Sequence, residues 1–265
     1  MLTFLLGACV GLVLGLTGAG GGILAIPALT LGLGWSVTQA TPVALLAVGS
    51  AALIGAMQGL RQGLVRYKAA ATMAAVGWLV APLGLYVAAL VPGTALMILF
   101  AAVMLVVACR MYLQARADSE AQGTLQRNCM LDPATGRLDW NARCLATLAS
   151  IGAASGFLTG LLGVGGGFLI VPAFRKFSDV RMHGVVATSL MVVTLVSLGT
   201  LGHLFSQGVT FSSAGALFTV SALVGMIGGR LAAPNLPARL LQQMFSVLCV
   251  CVSLLMLGKA FLAIG

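Results

Sequence analysis

The chain has 265 residues, of which 60% are hydrophobic and only 7% are charged. Soluble domains carry about 25% charged residues, so this composition excludes a soluble protein and indicates an integral membrane protein. The formal net charge of +9 does not indicate a nucleic-acid partner, because the basic residues lie in short loops between apolar runs, where they mark membrane topology.

The N-terminal half is predicted to hold a broken apolar element followed by three membrane spans. Residues 2–16 and 23–34 are two apolar pieces, each too short to cross a bilayer, which takes ~20 apolar residues. We do not predict a cleavable signal, since no basic n-region precedes the first piece. The spans that follow cover residues 38–58, 69–90 and 94–113. Residues 1–113 therefore form a first transmembrane repeat.

A polar segment at residues 114–143 separates this repeat from a second one at residues 144–265. We predict the polar segment to be a cytoplasmic linker. The second repeat copies the first without gaps at a constant offset, which is typical of an internal duplication. Equivalent pairs include Gly15 and Gly160, Leu45 and Leu190, Gly84 and Gly229, and Phe100 and Phe245.

The loop charges predict that the two repeats are inverted in the membrane. Basic residues mark the cytoplasmic side of a membrane protein. In the first repeat they lie in the loop at 61–68, whereas in the second they follow the first element at 175–181 and flank the last turn at 230–239. Equivalent loops therefore lie on opposite sides, which requires an odd number of crossings in each repeat.

We therefore predict an all-α polytopic membrane protein of two inverted repeats. Each repeat has one broken or re-entrant glycine-rich helical hairpin and three transmembrane helices, with the linker inside and both termini outside. If the glycine-rich elements crossed fully, the chain would have eight crossings and parallel halves. The predicted total is accordingly six to eight spans.

The glycine-rich element occurs at residues 15–28 and again at 160–173, each time with three consecutive glycines and a proline five residues later. Glycine costs about 1 kcal/mol per residue inside a helix, so each triple should break the helix. In a membrane, broken backbone is tolerated where protein buries it or where it lines a cavity. The element is then either a substrate site made by half-helix ends or a place of close helix packing.

The predicted site chemistry is that of an anion or a neutral solute. No Asp or Glu falls in a predicted span, which argues against a carboxylate proton relay and against a site for a metal or an organic cation. A half-helix that starts after a glycine triple presents free backbone N–H groups and a positive dipole end. Hydroxyls could complete the site, although Ser and Thr often bond back to their own helix. The candidate substrate-binding residues are Thr17, Gly20, Gly21, Gly22, Gly165, Gly166, Gly167, Thr188 and Ser189.

Three further features bear on mechanism. His203 is the candidate for proton coupling, because it is the group in a span that titrates near neutrality, with a structural role at a helix end as the alternative. Arg230 either attracts anions or anchors the end of its span, and we favour the anchor. The six cysteines form no CxxC motif and no Cys/His cluster, which predicts buried, inert thiols and no metal site. No cofactor and no catalytic residue are predicted.

The doubled pattern Gly-Leu-x-Gly-x-Gly-Gly-Gly-x-Leu-x-x-Pro, with Ala187-Thr188-Ser189-Leu190 after its second copy, resembles the TauE/SafE family, also called the toluene-sulfonate uptake permease family. The resemblance implies a multi-pass transporter of the bacterial inner membrane for sulfur-containing anions such as sulfite or organosulfonates, often an exporter. The first repeat departs from the pattern, since it has Val43-Ala44 where the second has Thr188-Ser189.

The function predicted from these features is a secondary transporter that moves a small anionic substrate by alternating access. Its partners are that substrate and the lipid bilayer, not nucleic acid, and the sequence leaves a homo-oligomer open. A passive anion channel and a carrier of a neutral small solute are the alternatives. An intramembrane enzyme would need a nucleophile with an acid–base pair or a metal cluster, and the sequence shows no such constellation.

Overall fold

A computed structural model describes residues 1–18, 21–116, 129–130, 140–180, 182–206, 212–232 and 238–262. The first repeat contains α1 (Leu2–Thr17), a 3₁₀ turn (Gly21–Leu24), α2 (Ala25–Gly32), α3 (Val37–Arg61), α4 (Tyr67–Leu90) and α5 (Gly93–Arg116). The second contains α6 (Ala142–Leu162), α7 (Gly167–Phe177), α8 (Met182–Ser206), α9 (Ser213–Ala232) and α10 (Ala238–Leu262). Within these ranges, seven helices are long and apolar enough to cross a membrane, namely α3 to α6 and α8 to α10. The prediction of an all-α polytopic membrane protein is confirmed.

The helices pack in pairs, and each main pair contains one helix from each repeat. Helix α1 packs along α9 and α6 packs along α4, while α3 packs on α8 and α5 on α10. By the repeat offset, α1 is equivalent to α6 and α4 to α9, so the first two pairs are copies of one interface. The other two pairs each join equivalent helices. A two-fold relation between the halves produces this reciprocal pattern.

Close glycine contacts give the direction in which equivalent helices run. Gly49 of α3 lies against Ser197 of α8, and further along α3 Gly59 lies against Ala187. Residue numbers rise along one helix as they fall along the other, so α3 and α8 are antiparallel. Equivalent helices that run in opposite directions are expected of inverted repeats and not of parallel ones. The register of α3 and α8 therefore agrees with the inverted arrangement, which stays a prediction.

The first glycine-rich element folds back on itself. Gly21, after the turn, lies against Leu14 near the end of α1, and Gly32 lies against Leu6 near its start. Helix α2 therefore returns along α1 towards the end of the molecule from which α1 began. This path is the one predicted for a re-entrant hairpin.

The second glycine-rich element returns in the same way, and Cys129 joins its two ends. The Cys129 sulfur is bonded to that of Cys144 at the start of α6. The Cys129 backbone N–H donates to Phe177 O (3.0 Å), and the Asp179 N–H donates to Cys129 O (3.2 Å), both beyond or at the end of α7. Although α6 is long enough to cross a membrane, α7 brings the chain back to the side where α6 began.

The prediction of buried, inert thiols is wrong for most of the cysteines. Cys129 and Cys144 form a disulfide, because Cys129 lies at the base of the hairpin between the start of α6 and the end of α7. Cys9, Cys109 and Cys251 are free but exposed on the surface of the helix bundle. In a membrane that surface faces lipid, so an apolar thiol is as suited to it as to the core. Cys249 alone of the free thiols is buried among the described residues.

The two ends of the bundle differ in charge. One end carries the α3–α4 loop and the start of α6, and every described Lys or Arg except Lys259 lies within two turns of it. We call it the basic end and the opposite end, which carries the α2–α3 and α4–α5 loops, the neutral end. Such a distribution is the one that orients polytopic proteins in membranes.

Lys259 is the described basic residue that lies at the neutral end, where its charge interacts with the C-terminal end of α2. It lies in the last turn of α10 at the neutral end, and its Nζ donates to Thr30 O at the end of α2 (2.7 Å). A cation that caps the last carbonyls of a helix interacts favourably with the helix dipole. Lys259 therefore holds the end of the re-entrant helix in place.

Candidate functional site

The second glycine turn is built from three residues in the left-handed region. Helix α6 ends at Gly163 (φ 68°), and Gly165 (φ 74°) and Gly166 (φ 62°) lead into α7. Side chains with a Cβ rarely adopt this conformation, so glycine is needed at each position. Gly166 is the N-cap residue of α7, and Gly167 is its first helical residue.

The first turn has the same outline with a shifted helix start. Gly18 has φ 78° and ends α1, whereas the candidate residue Gly20 lies outside the described residues. Gly21 and Gly22 are already in the 3₁₀ turn that precedes α2. In both turns the first helix of the hairpin therefore ends before the glycine triple, rather than being interrupted by all three glycines. The last glycines of each triple start the returning half-helix, where a small residue permits close packing.

The two turns meet near the middle of α3. A Cβ added to Gly22 would lie 2.8 Å from Val48 Cγ1 and 3.2 Å from the Val164 carbonyl oxygen of the other turn. A Cβ on Gly165 would lie 3.0 Å from Val193 Cγ1, and Val193 is the repeat equivalent of Val48. Gly22 and Gly165 thus lie at the place where the two turns meet, whereas Gly21 packs against Leu14 of α1 and Gly166 against Ser155 of α6.

Ser197 faces this meeting point, and sequence reasoning missed it. Its side chain is 1% exposed, and its Oγ has no hydrogen-bond partner among the described residues. A Cβ on Gly165 would lie 3.2 Å from that Oγ. A buried hydroxyl without a partner costs free energy, so this one is available to a ligand in the turn. Its repeat equivalent is Ala52, so no doubled motif marks it.

The hydroxyl candidates chosen from the sequence lie elsewhere or are occupied. Thr17 Oγ1 donates to Val13 O (2.7 Å), and Ser189 Oγ donates to Val186 O (2.8 Å). Thr188 is fully buried towards the basic end of α8, where its Oγ1 accepts a hydrogen bond from the Arg66 backbone N–H (3.0 Å). The structure therefore places Thr188 in the packing between α8 and the α3–α4 loop rather than against the glycine turns.

His203 lies apart from the turns as well. It is in the last turn of α8 at the neutral end and lines a groove of about 630 Å³ together with Trp78, Pro82 and Gly199. This groove is on the outer face of α4 and α8. A role for His203 in proton coupling stays a prediction.

A cavity of about 670 Å³ at the neutral end approaches the second turn. It is lined by Trp35, Thr38, Gln39, Thr41, Pro42, Val43, Leu85, Ala88, Ala89, Gly160, Leu204 and Ser212. These described lining residues include hydroxyls and one amide but no charged group. Thr41 lies directly beside Gly163, since a Cβ on that glycine would lie 2.7 Å from Thr41 Oγ1.

The matching region at the basic end is packed. Pro42 and Val43 line the cavity, and their repeat equivalents on α8 are Ala187 and Thr188. Ala187 lies against Gly59, where an added Cβ would be 2.7 Å away, and Thr188 is covered by the Arg66 backbone. The glycine turns are therefore approached from the neutral end and covered at the basic end. Among the described residues, no group of three His, Cys, Asp or Glu side chains could hold a metal ion.

Comparison with known proteins places the whole chain in one family. A family model described as "Sulfite exporter TauE/SafE" matches residues 3–256. A "Probable membrane transporter protein" of Xylella fastidiosa strain 9a5c is 30% identical over 261 residues, covering 96% of this chain and 94% of that protein. A "Probable membrane transporter protein YunE" of Bacillus subtilis strain 168 is 29% identical over 237 residues, covering 84% and 85%. No solved structure matches the chain.

Proposed function

The chain belongs to the sulfite exporter TauE/SafE family of membrane transporters, and on that premise we propose that it is a secondary transporter that exports a small sulfur-containing oxyanion, sulfite or an organosulfonate, across the bacterial inner membrane. The observation that carries the proposal is the meeting of the two glycine turns beside the unpartnered hydroxyl of Ser197.

The turn before α7 suits an oxyanion. Gly166 O already accepts from Leu169 N (3.1 Å) and Ile170 N (3.3 Å), whereas Gly167 and Phe168 precede the first intrahelical donors. Their N–H groups point out of the start of the helix, where the dipole is positive. Because neither the turn nor the cavity lining brings a charged side chain, an anion would be held weakly enough to be released on each cycle.

Inverted repeats give such a site access to both sides of the membrane. In this structure the cavity leads from the neutral end, while the equivalent region at the basic end is covered. If the two halves exchange conformations, the cover moves to the neutral end and the basic end opens. This exchange is alternating access around a fixed central site.

The charge distribution supports a cytoplasmic basic end, with the linker inside and both termini outside. The Cys129–Cys144 disulfide is at that same end, and disulfides are uncommon in the cytosol. Almost all described basic residues lie at this end, and both cysteines of the disulfide are buried, which limits the access of cytosolic reductants. Reporter fusions after Met1 and after Leu262 should both give signals from outside the cytoplasm. Cytoplasmic signals would reverse the assignment of the two ends.

Counterflow in proteoliposomes tests the transport function. Vesicles preloaded with unlabelled sulfite or a small sulfonate should accumulate the labelled anion, with and without a proton gradient. Ser197→Ala should raise the half-saturation concentration about tenfold, since it removes one hydrogen bond to a charged ligand. Ser189→Ala is the matched control, because the Ser189 hydroxyl bonds back to its own helix.

Each outcome of that experiment separates the candidate functions. Flux without counterflow would favour a passive channel, and counterflow of neutral solutes alone would favour a neutral-solute carrier. Equal half-saturation for wild type and Ser197→Ala would remove Ser197 from the site.

A further inference from the structure

Arg230 is only partly exposed, and one nitrogen of its guanidinium lies inside the helix bundle. It lies in the last turn of α9 at the basic end, with its backbone beside Gly15 of α1. Its Nη1 is buried without a hydrogen-bond partner among the described residues. That atom faces α3, since a Cβ on Gly55 would lie only 2.6 Å from it. Part of the guanidinium thus points into the contact between α1, α3 and α9.

A buried guanidinium nitrogen without a partner is costly unless an anion comes to it. By sequence, four of the five acidic residues belong to the polar segment at 114–143, and the fifth, Asp179, follows α7. The protein therefore keeps a cation near the core at this end while its spans supply no carboxylate. A ligand anion is the group that would satisfy it.

The repeat relation shows where Arg230 would lie when the basic end opens. Its equivalent in the first repeat is Leu85, which lines the cavity at the neutral end next to Gly160. Gly15 is the equivalent of Gly160 and already lies beside Arg230. After the halves exchange conformations, Arg230 would line the cavity at the basic end as Leu85 now lines the one at the neutral end.

We propose that Arg230 is the oxyanion-binding residue of the inward-open cavity, through which the substrate enters from the basic end. The inference rests on the proposed transport function. A guanidinium binds an oxyanion through two parallel N–H bonds, a geometry that lysine lacks. Thr188, the equivalent of the lining residue Val43, adds a hydroxyl to the same cavity.

This difference between Arg230 and Leu85 makes the two cavities unequal in affinity. The anion binds at the basic end, where the cavity contains a guanidinium, and is released at the neutral end, where the lining is uncharged. The difference in affinity changes the half-saturation concentration on each side and the exchange rates. It does not change the accumulation ratio at equilibrium, because the gradients set that ratio. This arrangement favours capture of the anion from the inside at low concentration and its release on the outside.

The test measures sulfite transport from each side separately, in inside-out and right-side-out membrane vesicles. Arg230→Gln should raise half-saturation at the basic end about tenfold or more and leave the neutral end within about twofold. Arg230→Lys should recover only part of the loss. Leu85→Arg should lower half-saturation at the neutral end. Lys176→Gln is the matched control, because it removes one exposed charge at the same end and should change nothing.

Unchanged half-saturation at the basic end in Arg230→Gln would overturn the inference. A second measurement tests the anion site without transport. It is the thermal stabilisation of the purified protein by sulfite and by sulfate. Stabilisation of the wild type but not of Arg230→Gln, without any counterflow, would support the anion site and refute the proposed function. No stabilisation of the wild type by either anion, together with no counterflow, would refute both.

Discussion

Gly166→Leu should abolish transport while the protein still inserts in the membrane. Gly166 has φ 62°, and a Cβ there would lie 2.6 Å from Ser155 O and 2.9 Å from Thr159 Oγ1. A left-handed backbone costs a residue with a Cβ about 1–2 kcal/mol, and the overlap adds about 1–3 kcal/mol. The turn must therefore move, and its N–H groups move away from the substrate site that we propose they form with Ser197.

Counterflow of labelled sulfite in proteoliposomes measures this effect. Gly202→Ala is the matched control, because Gly202 is in the regular part of α8 and nothing lies within 4 Å of an added Cβ. Gly166→Ala separates backbone strain from bulk and should reduce flux less than leucine does. Normal flux in Gly166→Leu, with the same amount of protein in the vesicles, would mean that the glycine turn is not the substrate site.

The apolar runs were enough to predict an all-α polytopic membrane protein, and the repeat offset and the loop charges predict in addition that its halves are inverted. The offset identified which helices are equivalent, and the basic loops required an odd number of crossings, hence a returning hairpin. Helix length alone would have predicted that α6 simply crosses the membrane, since its 21 residues meet the length needed to span. Its return is shown by the contacts of Cys129 with both ends of the hairpin.

The sequence could not separate the two interpretations of the glycines, because both apply to different residues. Gly163, Gly165 and Gly166 have positive φ and form the turn. Gly11 and Gly156 lie within regular helices where the partner backbone leaves no room for a Cβ. Glycine adopts positive and negative φ with similar ease, so turn glycines and packing glycines look alike in a sequence.

The candidate site shows the same limit for hydroxyls. Thr188 and Ser189 stood out because they follow a recognisable motif, yet one is held by Arg66 and the other bonds to its own helix. Ser197 has no motif and no equivalent serine, and its importance depends on which residue faces it across the bundle. Such a relation is tertiary, so the spacing of residues along one helix cannot reveal it.

The contact between α1 and α9, like its copy between α4 and α6, should be sensitive to any added side-chain bulk. A Cβ at Gly11 would overlap the backbone carbonyl of Ala222, and one at Gly225 would overlap the carbonyl of Ala8. Backbone atoms cannot rotate away as a side chain can, so the whole helix would have to shift. In membranes, where no hydrophobic effect drives helices together, this close approach supplies much of the association energy.

Gly11→Leu should therefore prevent assembly, with most of the protein lost from the monodisperse fraction in size-exclusion chromatography in detergent. Gly11→Leu thus reduces the amount of folded protein, whereas Gly166→Leu is expected to insert in the membrane and to lose only transport. Gly258→Leu is the matched control, since Gly258 is exposed on α10 with nothing within 4 Å of an added Cβ, and it should assemble as the wild type does. Monodisperse Gly11→Leu protein would show that α1 and α9 can separate without loss of the fold. The glycines of α1 would then be explained by motion during transport rather than by packing.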